Sequence, residues 1–110
     1  MGAAGSGAIK ADAKTAAIAT ALRERQLLAF VYDGQPRAVE PHIYGLSGSG
    51  RPALSAYQVA GGSASGEPLG WKLFHVSEMR QVKLLAAHFA GPRPDYNARD
   101  KAFRSVEIAL

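Results

Sequence analysis

The sequence predicts a small, mainly β domain of the α+β class: a strongly bent antiparallel sheet or barrel of about five short strands, with one helix at each end. Three observations carry this. Short apolar runs recur from Leu27 to Leu85, and Gly, Pro and Asp-Gly turn signals cut each of them before it reaches helical length. Helical spacing of apolar residues is confined to the two ends of the chain. The length, 110 residues, supplies one modest core and no second catalytic domain.

Residues 1–12 are dominated by Gly, Ala and Ser and are expected to form a flexible leader. A single domain should then span 13–110. Asp12 is placed to cap a helix from about Ala13 to Arg25, with Ile18, Ala21 and Leu22 on one stripe. Leu27 to Tyr32 reads as a strand entering a hairpin at Asp33-Gly34, the strongest short turn signal in the chain. Its partner should run from Arg37 to His42, with Pro41 marking a sheet edge or a bend.

After a Gly-rich turn at Leu46 to Gly50, Ala53 to Val59 reads as the next strand. Leu54, Ala56 and Gln58 share one of its faces, and Ser55, Tyr57 and Val59 the other. A flexible loop is expected from Gly61 to Pro68, then a strand from Trp71 to Ser77. There Lys72, Phe74 and Val76 alternate with Trp71, Leu73 and His75. Arg80 to Leu85 completes a barrel core of about 27–85. Gly91 to Pro94 breaks the chain, and Asn97 is placed to cap a last helix over about 97–110, with Phe103, Val106 and Leu110 at helical spacing.

Composition narrows the function classes. Hydrophobic residues make up 47% and charged residues 20% of the chain, values of a folded globular domain. Thirteen bases against nine acids leave a net charge of +4, a mild excess that an anionic ligand or nucleic acid can use without requiring either. The bases mix with acids at the two ends, as on an ordinary solvated surface. No cysteine is present, which removes disulfides, thiolate metal sites and a cysteine nucleophile and fits a reducing, cytoplasmic setting. No run of apolar residues is long enough for a membrane span, so no membrane partner is expected.

Local motifs for catalysis are weak. His42, His75 and His88 have no metal-ligand spacing, so neither a metal nor a cofactor is expected. Ser49, Ser63 and Ser65 lie in Gly-rich loops and not on a strand-to-helix elbow. The stretch Gly45 to Gly50 lacks a phosphate-loop Lys and leads into a strand. More informative are large side chains with a polar handle on the strands: Tyr32, Arg37, His42, Tyr44, Tyr57, Trp71, Lys72 and His75. Aromatic faces beside guanidinium or ammonium groups stack bases and hold phosphates. The competing use of the same aromatics is to fill the core, since a domain this size has few other bulky residues.

These residues also carry a family likeness. The run Leu22 to Gly34, followed by Arg37-Ala38-Val39-Glu40-Pro41-His42, resembles the opening helix and hairpin of WYL-domain proteins. Leu54-Ser55-Ala56-Tyr57-Gln58 lies where that family's Trp-Tyr-Leu strand lies, and Trp71 to Met79 is similar to its Arg-x-Phe-x-x-x-Arg-Ile strand. The likeness spans about residues 17–85. Here Lys72 stands in place of the family's Arg before Phe74, and a lysine does not reproduce bidentate arginine recognition.

The resemblance implies an Sm-like β-barrel in a bacterial, ligand-sensing or nucleic-acid-binding regulatory module, here expected to stand alone without a DNA-reading domain. Together the residues and the resemblance lead to a non-enzymatic module. Arg37 and Lys72 would supply charge to a nucleotide or single-stranded nucleic acid. Tyr32, Tyr57 and Trp71 would line the pocket, His42 and Tyr44 would donate hydrogen bonds, and His75 would complete the site. The alternative is a protein-interaction or self-assembly module acting through a barrel edge. An enzyme would require His42, His75 and Glu40 to converge.

Overall fold

A computed structural model describes residues 6–63, 66 and 69–110, with side chains from Ala13 onward. The element order is α1 (Ser6–Glu24), β1 (Gln26–Tyr32), β2 (Gln35–Ser47), β3 (Pro52–Gly61), β4 (Gly70–His75), a 3-10 turn (Val76–Glu78), β5 (Arg80–His88) and β6 (Phe103–Ala109). All strand pairings are antiparallel.

The long strand β2 organises the sheet. β3 pairs one edge of β2 from Arg37 to Leu46. On its other edge β1 covers Gln35 to Val39, and β6 takes over from Ile43 to Ser47. The hand-over falls at Glu40-Pro41-His42, where the β2–β3 register shifts between Pro41 and Ile43. Proline has no N–H to give a ladder, so it belongs at such a break. Gly45 lies between β3 and β6, where a Cβ would run into the Ser105 carbonyl oxygen.

The strand order is β4-β3-β2-β1-β5, with β6 attached to β2. Among the described residues β4 and β5 do not pair, so the sheet is bent but not closed into a barrel by hydrogen bonds. Its concave face buries Leu28, Phe30, Tyr32, Val39, Leu54, Ala56 and Phe74, with Ile18, Ala21 and Leu22 of α1 laid across them. Phe30, Tyr32 and Phe74 meet edge to face, with centroids 4.9 to 6.3 Å apart, the geometry aromatic quadrupoles favour.

Several sequence expectations reappear in this architecture. The Asp33-Gly34 turn has φ of 52° and 73° at its two residues, the paired positive φ of a type I′ hairpin. Leu54, Ala56 and Gln58 are all fully buried.

Two expectations are corrected. The C-terminal helix over 97–110 is instead strand β6, starting at Phe103. The open edge of β2 beyond Val39 needs hydrogen-bond partners, and β-branched Val106 and Ile108 suit that role. The N-terminal helix begins at Ser6, so Asp12 lies inside it and not at its cap. The Ala-rich run continues the helix, and one interior Asp costs only tenths of a kcal/mol, about 0.7 at most. Residues 1–5 of the expected leader, and residues 64, 65, 67 and 68 of the expected loop, lie outside the described residues. Among the described residues no helix is long and apolar enough to cross a membrane.

Candidate functional site

Period-2 alternation distributes the eight candidate residues over two faces of the sheet. Tyr32, Arg37 and Lys72 share the concave face with Phe74 by cross-strand register, and Tyr44 packs against that core. Tyr57, Trp71 and His75 belong to the convex face, where His42 joins them at the β2 bend. The eight do not form one site.

On the concave side Arg37 is only 5% exposed. Its guanidinium donates to Gln58 Oε1 (3.3 Å) and to the Tyr32 carbonyl (3.2 Å), and its carbon lies 5.4 and 5.6 Å from the Tyr32 and Phe74 ring centroids. The nearest carboxylate oxygen, on Asp33, is 3.9 Å away, and Nε has no partner among the described residues. Gln58 donates in turn to the Gly62 carbonyl at 2.7 Å. Tyr32 accepts from the His75 N–H at 3.0 Å, and burial pushes its phenol upward. Lys72 Nζ donates to Ser63 Oγ at 3.2 Å. Arg37 and Tyr32 are therefore packed into the interior, engaged with neighbouring backbone and side chains.

The convex face is organised by a segment that the sequence suggested was a chain break followed by the start of a helix. Residues 89–102 carry no regular secondary structure and cross the outer side of β2, β3 and β4 as a strap. Its start is pinned by Phe89, whose N–H bonds the Arg25 carbonyl at 2.8 Å, and its end by buried Phe103. Between them Arg93, framed by Pro92 and Pro94, makes three contacts. Its Nε and NH2 donate to the two oxygens of Glu40 at 2.8 and 3.0 Å. Its guanidinium carbon lies 4.1 Å from the Tyr57 ring centroid. Its backbone N–H donates to His42 Nε2 at 3.1 Å.

That last bond fixes the protonation of His42. The Glu40 carbonyl, 2.8 Å from Nδ1, can only accept, and the Arg93 amide can only donate. Nδ1 therefore carries the proton, Nε2 the lone pair, and the ring is neutral. Burial holds its pKa below the usual histidine value, and the Arg93 charge adds to this, against the opposing pull of Glu40. Phe89 stacks on the same ring at 5.7 Å, while Trp71 and Tyr96 flank it at 4.7 and 5.2 Å.

Beside this latch the strap and the sheet enclose a cleft of about 350 Å³. Its floor is Ile43, Ser55 and Leu73; Trp71 and Tyr96 line it with near-parallel rings, centroids 6.5 Å apart. Asp95, Asn97 and Asp100 of the strap close the other side, and Lys72 also contributes to the lining. The size lies within the range of small-molecule sites. Sequence reasoning identified Trp71 and Lys72 here but missed Arg93, Asp95, Tyr96 and Asp100. The available signal was an Arg and a Tyr in a Pro-framed stretch too long for an ordinary connection.

The remaining histidines are apart. His75 ends β4, its Nδ1 buried and without a partner among the described residues, and His88 is exposed at the end of β5. Among the described residues no three His, Asp or Glu side chains gather around a point that would hold a metal ion.

The chain matches no protein-family model and no curated protein. Among solved structures it is similar to part of proteasome accessory factor B/C (PafBC) of Arthrobacter aurescens, with a TM-score of 0.60 at 22% sequence identity. The match covers 78% of this chain and spans 13% of that one. It is a likeness of fold.

Proposed function

We propose that this chain is a non-enzymatic, WYL-like regulatory module that senses a small ligand in the cleft between the convex sheet face and the strap. The cleft carries the reading: it is concave, combines two aromatic rings with a few polar groups, and is walled on one side by a segment of irregular backbone. The sequence likeness over about residues 17–85 supports the WYL assignment, and the likeness to part of PafBC is one of fold. In that reading the bent sheet is an open Sm-like barrel. The non-enzymatic part rests on His42 and Glu40. Both ring nitrogens of the one and both carboxylate oxygens of the other are held in structural hydrogen bonds, so neither is free to act as a general base.

A small ligand fits this geometry better than a strand of nucleic acid. Arg37, the base first expected to meet phosphate, is buried in the interior, and Arg93 is neutralised by Glu40. Two carboxylates line the cleft beside Lys72, and carboxylates repel a run of phosphates.

Trp71 is the single tryptophan of the chain and lines the cleft, so its fluorescence reports directly on occupancy. In a thermal-shift screen of nucleobases, nucleotides, short single-stranded DNA and RNA, and aromatic amines and acids, a true ligand raises Tm by several degrees, roughly 4 to 8 for each kcal/mol. It also changes Trp71 emission saturably, and both responses disappear in Leu73→Arg. Stabilising ligands that leave Trp71 emission unchanged, or that bind Leu73→Arg equally well, would remove the cleft as the site. A second reading draws on Leu69 and Leu73, which are 58% and 40% exposed beside and on edge strand β4. A flat screen with mass rising as protein concentration rises would favour self-association through that edge.

A further inference from the structure

We propose that the cleft takes a planar aromatic cation, its ring against Trp71 and Tyr96 and its positive group beside Asp95 and Asp100. This rests on the reading of the cleft as the ligand site and names the class of ligand.

The two walls come from different elements and supply complementary chemistry. From β4 and the strap, Trp71 and Tyr96 offer near-parallel rings at 6.5 Å, and electron-rich aromatic faces attract cations as well as stack planar rings. From the strap alone come two carboxylates, neither in an ion pair with another described residue; the ion pairs among the described residues use Asp33, Glu40 and Glu78. Asp100 spends Oδ1 on the Ala102 N–H at 2.9 Å and keeps its second oxygen.

Two of the nearby bases, Arg93 and Lys72, are turned to other uses. Arg93 is held bidentate by Glu40. Lys72 contributes to the lining, but it stands opposite Ala56 in the β3–β4 register, on the face of Phe74, and its Nζ donates to Ser63, which is not part of the cleft. A volume of about 350 Å³ suits one fused two-ring system. Apolar Ile43 and Leu73 favour a ring there over a sugar phosphate, and Ser55 and Asn97 add neutral hydrogen-bonding groups. Aromatic faces and unpaired carboxylates in one cleft select a positive charge on a flat, apolar body.

The test uses the full chain and four probes, three of them sharing one ring system: N-methylquinolinium as cation, quinoline as neutral, quinaldate as anion, and AMP as the nucleotide. Each is titrated against Trp71 emission and Tm at low and moderate salt. The expected order is the cation at least ten-fold tighter than quinoline, with quinaldate and AMP weaker still. The ten-fold preference should collapse in Asp95→Asn/Asp100→Asn while quinoline binding stays unchanged. Asp100→Asn keeps the Oδ1 acceptor for Ala102, so the strap turn survives. If quinaldate or AMP binds as tightly as the cation, the charge assignment is overturned and the cleft reading stands. If no probe and no member of the wider screen moves Trp71, both fall together.

Discussion

Two arginines lie over tyrosine rings, one on each face of the same sheet, and their surroundings are opposite. Arg37 sits on Tyr32 inside the bent sheet, 5% exposed, with its closest carboxylate oxygen 3.9 Å away and one nitrogen without a partner among the described residues. Arg93 sits on Tyr57 at the outer face, part exposed, with both oxygens of Glu40 within 3.0 Å. The interior guanidinium is held by shape, ring faces and neutral acceptors; the outer one is held by charge. A buried charge with a poor counter-ion contributes little net stability beyond its packing, because desolvation offsets what the field returns. The outer pair joins a partly exposed arginine to a buried glutamate, and solvent at the arginine screens part of its charge. The concave face thus belongs to the folding core, and the convex face is where a segment can be released.

The largest expected effect breaks the interior side of that comparison. Arg37→Ala should cost roughly 2 to 4 kcal/mol in urea denaturation, since it opens a cavity and strands Gln58. Arg37→Met keeps the volume and removes the charge, and most of the loss should return. Equal damage from Met and Ala would show that the charge itself holds the core. Next comes the outer pair. Glu40→Gln should cost about 1 kcal/mol, in the range of a partly exposed ion pair, and should raise hydrogen exchange in the strap while leaving β1 and β3 amides unchanged.

The smallest effect is the most specific in sign. His42 has a folded pKa below its unfolded value near 6.5. The unfolded chain therefore binds the extra proton first as pH falls. The contribution of neutral His42 is complete above about pH 6.5 and is lost as pH drops through its folded value. Protonation would also point an N–H at the Arg93 N–H. Urea midpoints measured between about pH 8 and pH 5 should fall on the acid side in the wild type, and this part of the slope should flatten in His42→Gln. An unchanged slope in that variant would assign the acid sensitivity elsewhere.

Much of the interior was legible because period-2 alternation and turn chemistry are local signals. Leu54, Ala56 and Gln58 fall on the buried face, Asp33-Gly34 makes its turn, and Ile18, Ala21 and Leu22 line the helix stripe. The C-terminal strand was not legible. Phe103, Val106 and Leu110 satisfy helical spacing, and only the vacant edge of β2, a tertiary fact, decides for a strand. The site was half legible for a related reason. Alternation separates Trp71 from Lys72 and Tyr57 from Gln58, but which face is covered by α1 and which by the strap depends on elements far away in sequence. Arg93 in its Gly-Pro-Arg-Pro setting reads as an interruption. Its partner Glu40, more than fifty residues earlier, appears only after folding.

Native-state hydrogen exchange of the strap against the sheet decides whether the convex face opens independently of the concave core. With intrinsic rates corrected for pH, the Arg93 amide should open by a sub-global route at lower free energy than the β2–β3 amides, with its protection decreasing further below about pH 6.5. Strap and sheet amides sharing one protection factor, unaffected by acid, would contradict this picture, because the convex face would then open only when the concave core unfolds.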